Sequence, residues 1–209
     1  MYKLYYATGA ASMAVHVTLR EIGVPFELVK IDFSKGEQKA PEYLAINPAG
    51  VVPALEIDGR IQTESAALCY QLAERHPEAR LLEAATRYES LQWLTYLTNM
   101  VQSELQCWFY PERFVSETTG SELKAGVALR LARAWTRIED RLAEGEGPYL
   151  FGDRLDVADV YLGMLARWSR ILPKPATDYP PVRRLADAIT ARPAWREVAD
   201  VEGQKAWKY

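Results

Sequence analysis

Strand-like segments occur only in the first third of this 209-residue chain, and nothing after about residue 84 resembles one. That asymmetry excludes a single layered α/β fold and predicts a small sheet-containing domain followed by an all-helical one. Residues 2–6 (YKLYY) are short and aromatic, and Ala7-Thr8-Gly9 breaks them. A first helix opens near Ser12 and stops at Gly23. Residues 26–32 (FELVKID) alternate as a second strand, and a polar stretch from 34 to 50 leaves room for a short helix around 42–44. Val51-Val52-Pro53-Ala54-Leu55-Glu56-Ile57, then Asp58-Gly59, then Arg60-Ile61-Gln62 reads as a hairpin. Glu64-Ser65 opens a helix that runs to His76-Pro77. The order is β-α-β-(α)-β-β-α over residues 1–78.

After a linker near 78–85 the pattern is helical over 85–209. Tyr88, Leu91, Leu94, Leu97, Val101 and Leu105 form one stripe, and Val127, Leu131, Trp135, Ile138 and Leu142 form another. Asp156-Val157-Ala158-Asp159 has the form of an acidic capping box. It heads a segment, Val160 to Leu172, that is apolar nearly all round and is expected at the centre of the bundle. Pro180-Pro181 and Arg192-Pro193 punctuate two shorter helices.

Lys and Arg total 25 against 28 Asp and Glu, a net charge of -3, which argues against nucleic-acid binding by phosphate neutralisation. No apolar run reaches the ~18 residues of a membrane span, and no basic flank with a long apolar stretch marks a cleaved leader. The expectation is a cytoplasmic protein. Two cysteines, Cys69 and Cys107, cannot make a disulfide scaffold. His16 and His76 with those cysteines fall at no metal-ligand spacing, so no metal is expected.

Val52-Pro53, Glu64-Ser65 and Asp156-Val157-Ala158-Asp159, in this order over ~155 residues, resemble the cytosolic glutathione transferases. The segments KLYYATGAASMAVHVTLREIG, YLAINPAGVVPAL and TESAAL are most similar to the bacterial beta-like type. The resemblance implies an α/β thioredoxin-like N-terminal domain, an all-α C-terminal domain and a homodimer. It implies glutathione as co-substrate and a small hydrophobic electrophile as its partner.

Residue by residue, the resemblance carries a cis bond to Pro53, so that Val52 offers its backbone to the cysteinyl unit of the tripeptide. The N–H groups at the next helix tip suit the γ-glutamyl carboxylate; Ser65 adds a hydroxyl, and Glu64 can receive the γ-glutamyl ammonium. Simple capping by Thr63 or Ser65 is compatible with the same geometry. Lys35 and Lys39 can reach the glycyl carboxylate.

Many bacterial members carry a cysteine in a GACS-like pattern, where this chain has Gly9-Ala10-Ala11-Ser12. Ala11 removes the nucleophile for a mixed disulfide and disfavours a glutaredoxin-like mechanism. Lowering a thiol pKa by two units requires about 2.7 kcal/mol. A helix terminus contributes roughly 0.3–1 kcal/mol, so a hydroxyl or amide donor must assist. Ser12 is the first candidate, Thr8 the second and Tyr6 the third; plain N-capping by Ser12 is the competing role.

The family's helix histidine aligns with Gln102 or Gln106, and neither restores an imidazole. His16 reads as a packed or surface histidine. An electrophile pocket is expected between the domains, with Gln102, Gln106, Trp108 and Trp168 as candidate lining residues and Phe109, Tyr110, Phe114 and Arg167 nearby. Two alternatives remain: a non-catalytic glutathione-binding or interaction module, and a glutathione-dependent peroxidase or isomerase.

Overall fold

The computed structural model describes residues 1–204. Two compact units are present. The first is built on a four-stranded sheet of β1 (Tyr2–Tyr6), β2 (Phe26–Lys30), β3 (Ala54–Ile57) and β4 (Arg60–Gln62), in the order β2-β1-β3-β4. β1 runs parallel to β2, with Tyr6 opposite Lys30, and antiparallel to β3, with Tyr5 opposite Ala54. A parallel neighbour requires a crossover, which α1 (Ser12–Ile22) provides. The β3–β4 hairpin turns through Asp58 and Gly59 at φ 52 and 78. Paired positive φ values suit a primed turn, whose twist matches the strands, as the Asp-Gly pair predicts.

Short turns and α2 (Pro41–Leu44) join β2 to β3, and α3 (Ser65–Arg75) packs beside α1. Every residue of α1 from Ser12 to Leu19 is buried. The reason lies at the other end of the chain. Helix α9 (Pro193–Val201) packs on α1, and residues 191–204 belong to the first unit, not to the helical segment predicted over 85–209. Arg192 clasps Glu21 with two hydrogen bonds, Nε to Oε1 at 2.5 Å and Nη2 to Oε2 at 2.7 Å.

The second unit spans Ala84–Thr190 among the described residues. It contains α4 (Arg87–Tyr96), a π-helical stretch (Leu97–Gln102) leading without a break into α5 (Ser103–Phe109), then α6 (Gly120–Ala143), α7 (Val157–Trp168) and α8 (Pro180–Thr190). Leu94, Leu97, Val101 and Leu105 are buried as the first stripe predicts, whereas Tyr88 and Leu91 are exposed, because Trp93 takes the inward position on α4 instead. The second stripe, on α6, is buried throughout.

Helix α7 is buried at every position from Val157 to Ala166. It begins at the predicted capping box: Asp156 accepts from Ala158 N–H at 2.8 Å, and Asp159 accepts from Asp156 N–H and Leu150 N–H, each at 2.8 Å. Burial raises both carboxyl groups, Asp156 to about 6 and Asp159 well above the usual carboxylate range. The helix turns from its predicted course after Trp168, and Ile171 is exposed.

Candidate functional site

Sheet pairing brings four loops to one end of the first unit. The pairings Tyr6–Lys30, Tyr5–Ala54 and Leu55–Gln62 set the exits of β1, β2 and β4 beside the entry of β3. The segments leaving that end are 7–11, 31–40, 51–53 and 63–64. They are not loosely gathered. Ala7, Ile31, Tyr43 and Val52 are buried together, with Tyr5, Ala10, Val29 and Ile46 against them.

The Val52–Pro53 bond is cis. The carbonyl just before it, on Val51, accepts two hydrogen bonds, from the Tyr43 hydroxyl and from Asn47 Nδ2, each 2.7 Å long. Burial pushes the Tyr43 phenol up to about 12, so it remains a donor. Asn47 also accepts from Ala49 N–H at 3.2 Å. Gly50, at φ +62, lies close to Gln38, whose carbonyl oxygen would be 3.0 Å from any Cβ there. Among the described residues, no backbone hydrogen bond engages the N–H or C=O of Val52.

Glu64, the residue preceding α3, has φ 68 and ψ 97. A non-glycine residue held at such an angle costs of order 1–3 kcal/mol, and such strain gathers at ligand clamps. Its side chain is exposed while Ser65 is buried, and the Glu64 carbonyl accepts from Leu68 N–H at 2.9 Å. The left-handed residue thus turns the chain sharply from β4 into the helix, so that the N-terminus of α3 opens at the same end of the sheet.

The tip of α1 differs from the sequence expectation in one respect. Ser12 is fully buried, and its Oγ accepts from Ala7 N–H and donates to Ala7 C=O, both at 3.2 Å. It does not cap the helix; Ala11 occupies the cap position with no side-chain bond. A hydroxyl has one hydrogen to give, and here Ala7 receives it. Ser12 ties the loop to the helix, and the groups at the tip are the N–H groups of Ala11 and Ser12 and the exposed Thr8.

Lys35 is exposed and pairs with Asp32 at 3.6 Å; Lys39 is also exposed. Tyr6 is buried, with its phenol raised by that burial and by the Glu202 charge. Cys69 is buried in α3, and burial pushes its thiol up to about 12, which makes it an inert packing residue. His16 is packed, as predicted, but it is bonded through Nδ1 to Glu202 Oε1 at 3.0 Å, a partner 186 positions away.

On the helical unit the candidate residues make different contacts. Gln102 closes the π-helical stretch and accepts a short hydrogen bond from the Tyr161 hydroxyl, whereas Gln106 is exposed. The Phe109 ring meets Trp168 edge-on at 6.1 Å and Tyr110 at 6.3 Å. The Trp108 ring lies under the Lys124 ammonium at 5.5 Å. Phe114 is exposed, and Cys107 is half-buried, its thiol raised by burial and by Glu104.

Sequence reasoning missed Tyr43, Asn47, Glu202 and the π-helical stretch. NPAG marked the Asn47 loop, but nothing marked Glu202. No group of three or more His, Cys, Asp or Glu among the described residues could hold a metal, and no described helix is long and apolar enough to cross a membrane.

Comparison with known proteins agrees with this geometry. Residues 4–80 match the glutathione S-transferase N-terminal domain model, and residues 121–199 match the C-terminal domain model. The chain is 30% identical to glutathione S-transferase GstA of Escherichia coli O157:H7, over 97% of this chain and all of that one. It is 29% identical to a maleylacetoacetate isomerase of Pseudomonas aeruginosa, over 93% and 94% of the two chains. A glutathione transferase homologue from Sulfitobacter, solved with bound glutathione, superposes at a TM-score of 0.88 with 28% identity, covering 96% and 98%. With a thioredoxin-like unit, a helical unit and relatives matched from end to end, the chain is a transferase that belongs to the glutathione S-transferase family.

Proposed function

We propose that this protein binds glutathione at the converging loops of the first unit and conjugates its thiolate to small hydrophobic electrophiles. The observation that carries the reading is the convergence, at one sheet end, of the cis Val52–Pro53 segment, the left-handed Glu64 and the tip of α1. Val52 pairs its backbone with the extended tripeptide. Ser65 and the N–H groups of α3 receive the γ-glutamyl carboxylate, and exposed Glu64 receives its ammonium. Lys35 takes the glycyl carboxylate.

The sulfur sits at the α1 tip. A hydrogen bond to an ionised group contributes about 1.5–3 kcal/mol, and the helix terminus adds roughly 0.3–1 kcal/mol. The N–H groups of Ala11 and Ser12 with that terminus therefore meet the ~2.7 kcal/mol that a two-unit depression requires. Thr8 is the hydroxyl assigned a further bond. Phe109 and Trp168, with Gln102 held by Tyr161, are the helical-unit residues assigned to the electrophile, and Gln106 and Trp108 are assigned a lesser part. The working form is a cytoplasmic homodimer.

The test pairs calorimetry with glutathione against turnover of an activated aryl halide, and it requires saturable binding at millimolar glutathione or below together with glutathione-dependent conjugation. Absence of binding overturns the reading. The likeness to the maleylacetoacetate isomerase supports a second reading, glutathione-dependent cis–trans isomerisation of an unsaturated diketo acid. Turnover of such an acid with no net consumption of glutathione would favour it.

A further inference from the structure

We propose that Glu202 is a positioning residue for the sulfur-binding tip of α1: one carboxylate, delivered from the far end of the chain, holds both the loop before the helix and the helix itself. The inference rests on the glutathione reading above. Glu202 Oε2 accepts from Gly9 N–H at 2.8 Å and from Gln204 Nε2 at 2.9 Å, while Oε1 accepts from His16 Nδ1 at 3.0 Å. Gly9 lies two residues before Ala11, and His16 lies one turn into α1 beyond Ser12. The two anchors bracket the N–H groups assigned to sulfur.

The placement of Glu202 is costly for its own helix. It follows the last residue of α9, where the exposed carbonyls disfavour a negative charge. Its side chain is also buried, which removes hydration from the carboxylate. Nothing about α9 rewards an acid there; the compensation comes from the three donors, two of them on the α1 side. The carboxylate makes His16 Nδ1 the donor nitrogen, and Nε2 is left buried with no partner among the described residues; the imidazole ring packs near those of Tyr6 and Phe26. A histidine kept with one nitrogen unpaired is held for its bond to Glu202. The C-terminal family-model match ends at residue 199, before this residue.

A docking role for Glu202 alone predicts loss of stability only; a positioning role predicts a change at the sulfur. The clasp of Arg192 on Glu21 joins the same end of the chain to α1 without touching Gly9, and Glu21→Gln serves as the control. For wild type, Glu202→Gln, Glu202→Ala and Glu21→Gln, three quantities are measured on folded protein: the glutathione dissociation constant, kcat, and the pH midpoint of the bound thiol by its ultraviolet absorbance.

In Glu202→Ala the thiol midpoint should rise and kcat fall by about ten- to a hundredfold, with the dissociation constant within about threefold, because the tripeptide's two ends are gripped elsewhere. Glu202→Gln, which keeps one oxygen for Gly9, should lie between Ala and wild type. Glu21→Gln should leave the midpoint at its wild-type value. Should Glu202→Ala fail to fold, Glu202→Gln with an unshifted midpoint overturns the proposal, as does a shift of equal size in Glu21→Gln. A wild-type protein that does not bind glutathione overturns the functional reading along with it. Binding and conjugation by wild type with no effect in either Glu202 variant overturns this inference alone.

Discussion

Tyr43 donates its hydroxyl to the Val51 carbonyl at 2.7 Å, and Asn47 donates to the same oxygen at the same distance. Two donors on one acceptor fix the peptide that precedes the proposed cysteinyl-binding residue. Tyr43→Phe is expected to cost about 1 kcal/mol of stability and Asn47→Ala about 1–3 kcal/mol, since the latter removes two hydrogen bonds, one to Val51 C=O and one from Ala49 N–H. The double variant should weaken glutathione binding by more than the product of the single effects. Chemical denaturation with calorimetry on all three variants checks this, and purely multiplicative effects would count against a shared role.

Glu64 sets stability against function. Its positive φ is strained, so Glu64→Gly should raise the melting temperature by about 2–4 °C per kcal/mol of strain relieved, while glutathione affinity falls through loss of the ammonium contact. Glu64→Ala removes the same contact without the relief, and its melting temperature should not rise. A glycine variant that binds glutathione as tightly as wild type would remove Glu64 from the binding site.

Ser12→Ala separates support from chemistry at the α1 tip. The hydroxyl bonds both backbone groups of Ala7 in a buried setting, so its removal should cost about 1–3 kcal/mol of stability. The pH midpoint of the bound thiol should stay where it is. A clear rise in that midpoint would show that the serine proton reaches sulfur after all.

The capping box gives stability a dependence on pH. Burial raises Asp156 to about 6, while Ser90 Oγ, 2.6 Å away, and Ala158 N–H partly oppose the rise. In the unfolded chain the same group titrates near 3.9, so between about pH 4 and 6 the folded state binds more protons and stability falls as pH rises. Asp156→Asn keeps an acceptor for the helix and abolishes that term. Denaturation profiles of the two proteins should therefore converge or cross in the variant's favour on going from pH 4 to 7. Parallel profiles would contradict the raised value.

Features written in neighbouring residues were legible from the sequence alone. Asp58-Gly59 needs only its own φ preferences to make a hairpin, and Asp156 and Asp159 lie within reach of the first turn they cap. The apolar circumference of α7 announced a central helix because no amphipathic placement can satisfy it. The misreadings have a common physical origin in distant packing. Tyr88 and Leu91 have the right spacing for a stripe, yet Ser90, Trp93 and Leu94 hold the buried positions of α4. Ser12 has the composition of a cap, but its oxygen met Ala7 first. Glu202 carries no periodic or motif signal, since its partners, Gly9 and His16, are 193 and 186 positions away.

That return of the chain carries a lesson for how the molecule is made. A ribosome releases residues in order, so the helical bundle has all its parts before the sheet-containing body does. The latter must stay incomplete, with one flank of α1 open to water, until α9 has been synthesised. Removing residues 193–201 would therefore damage a region translated well before them.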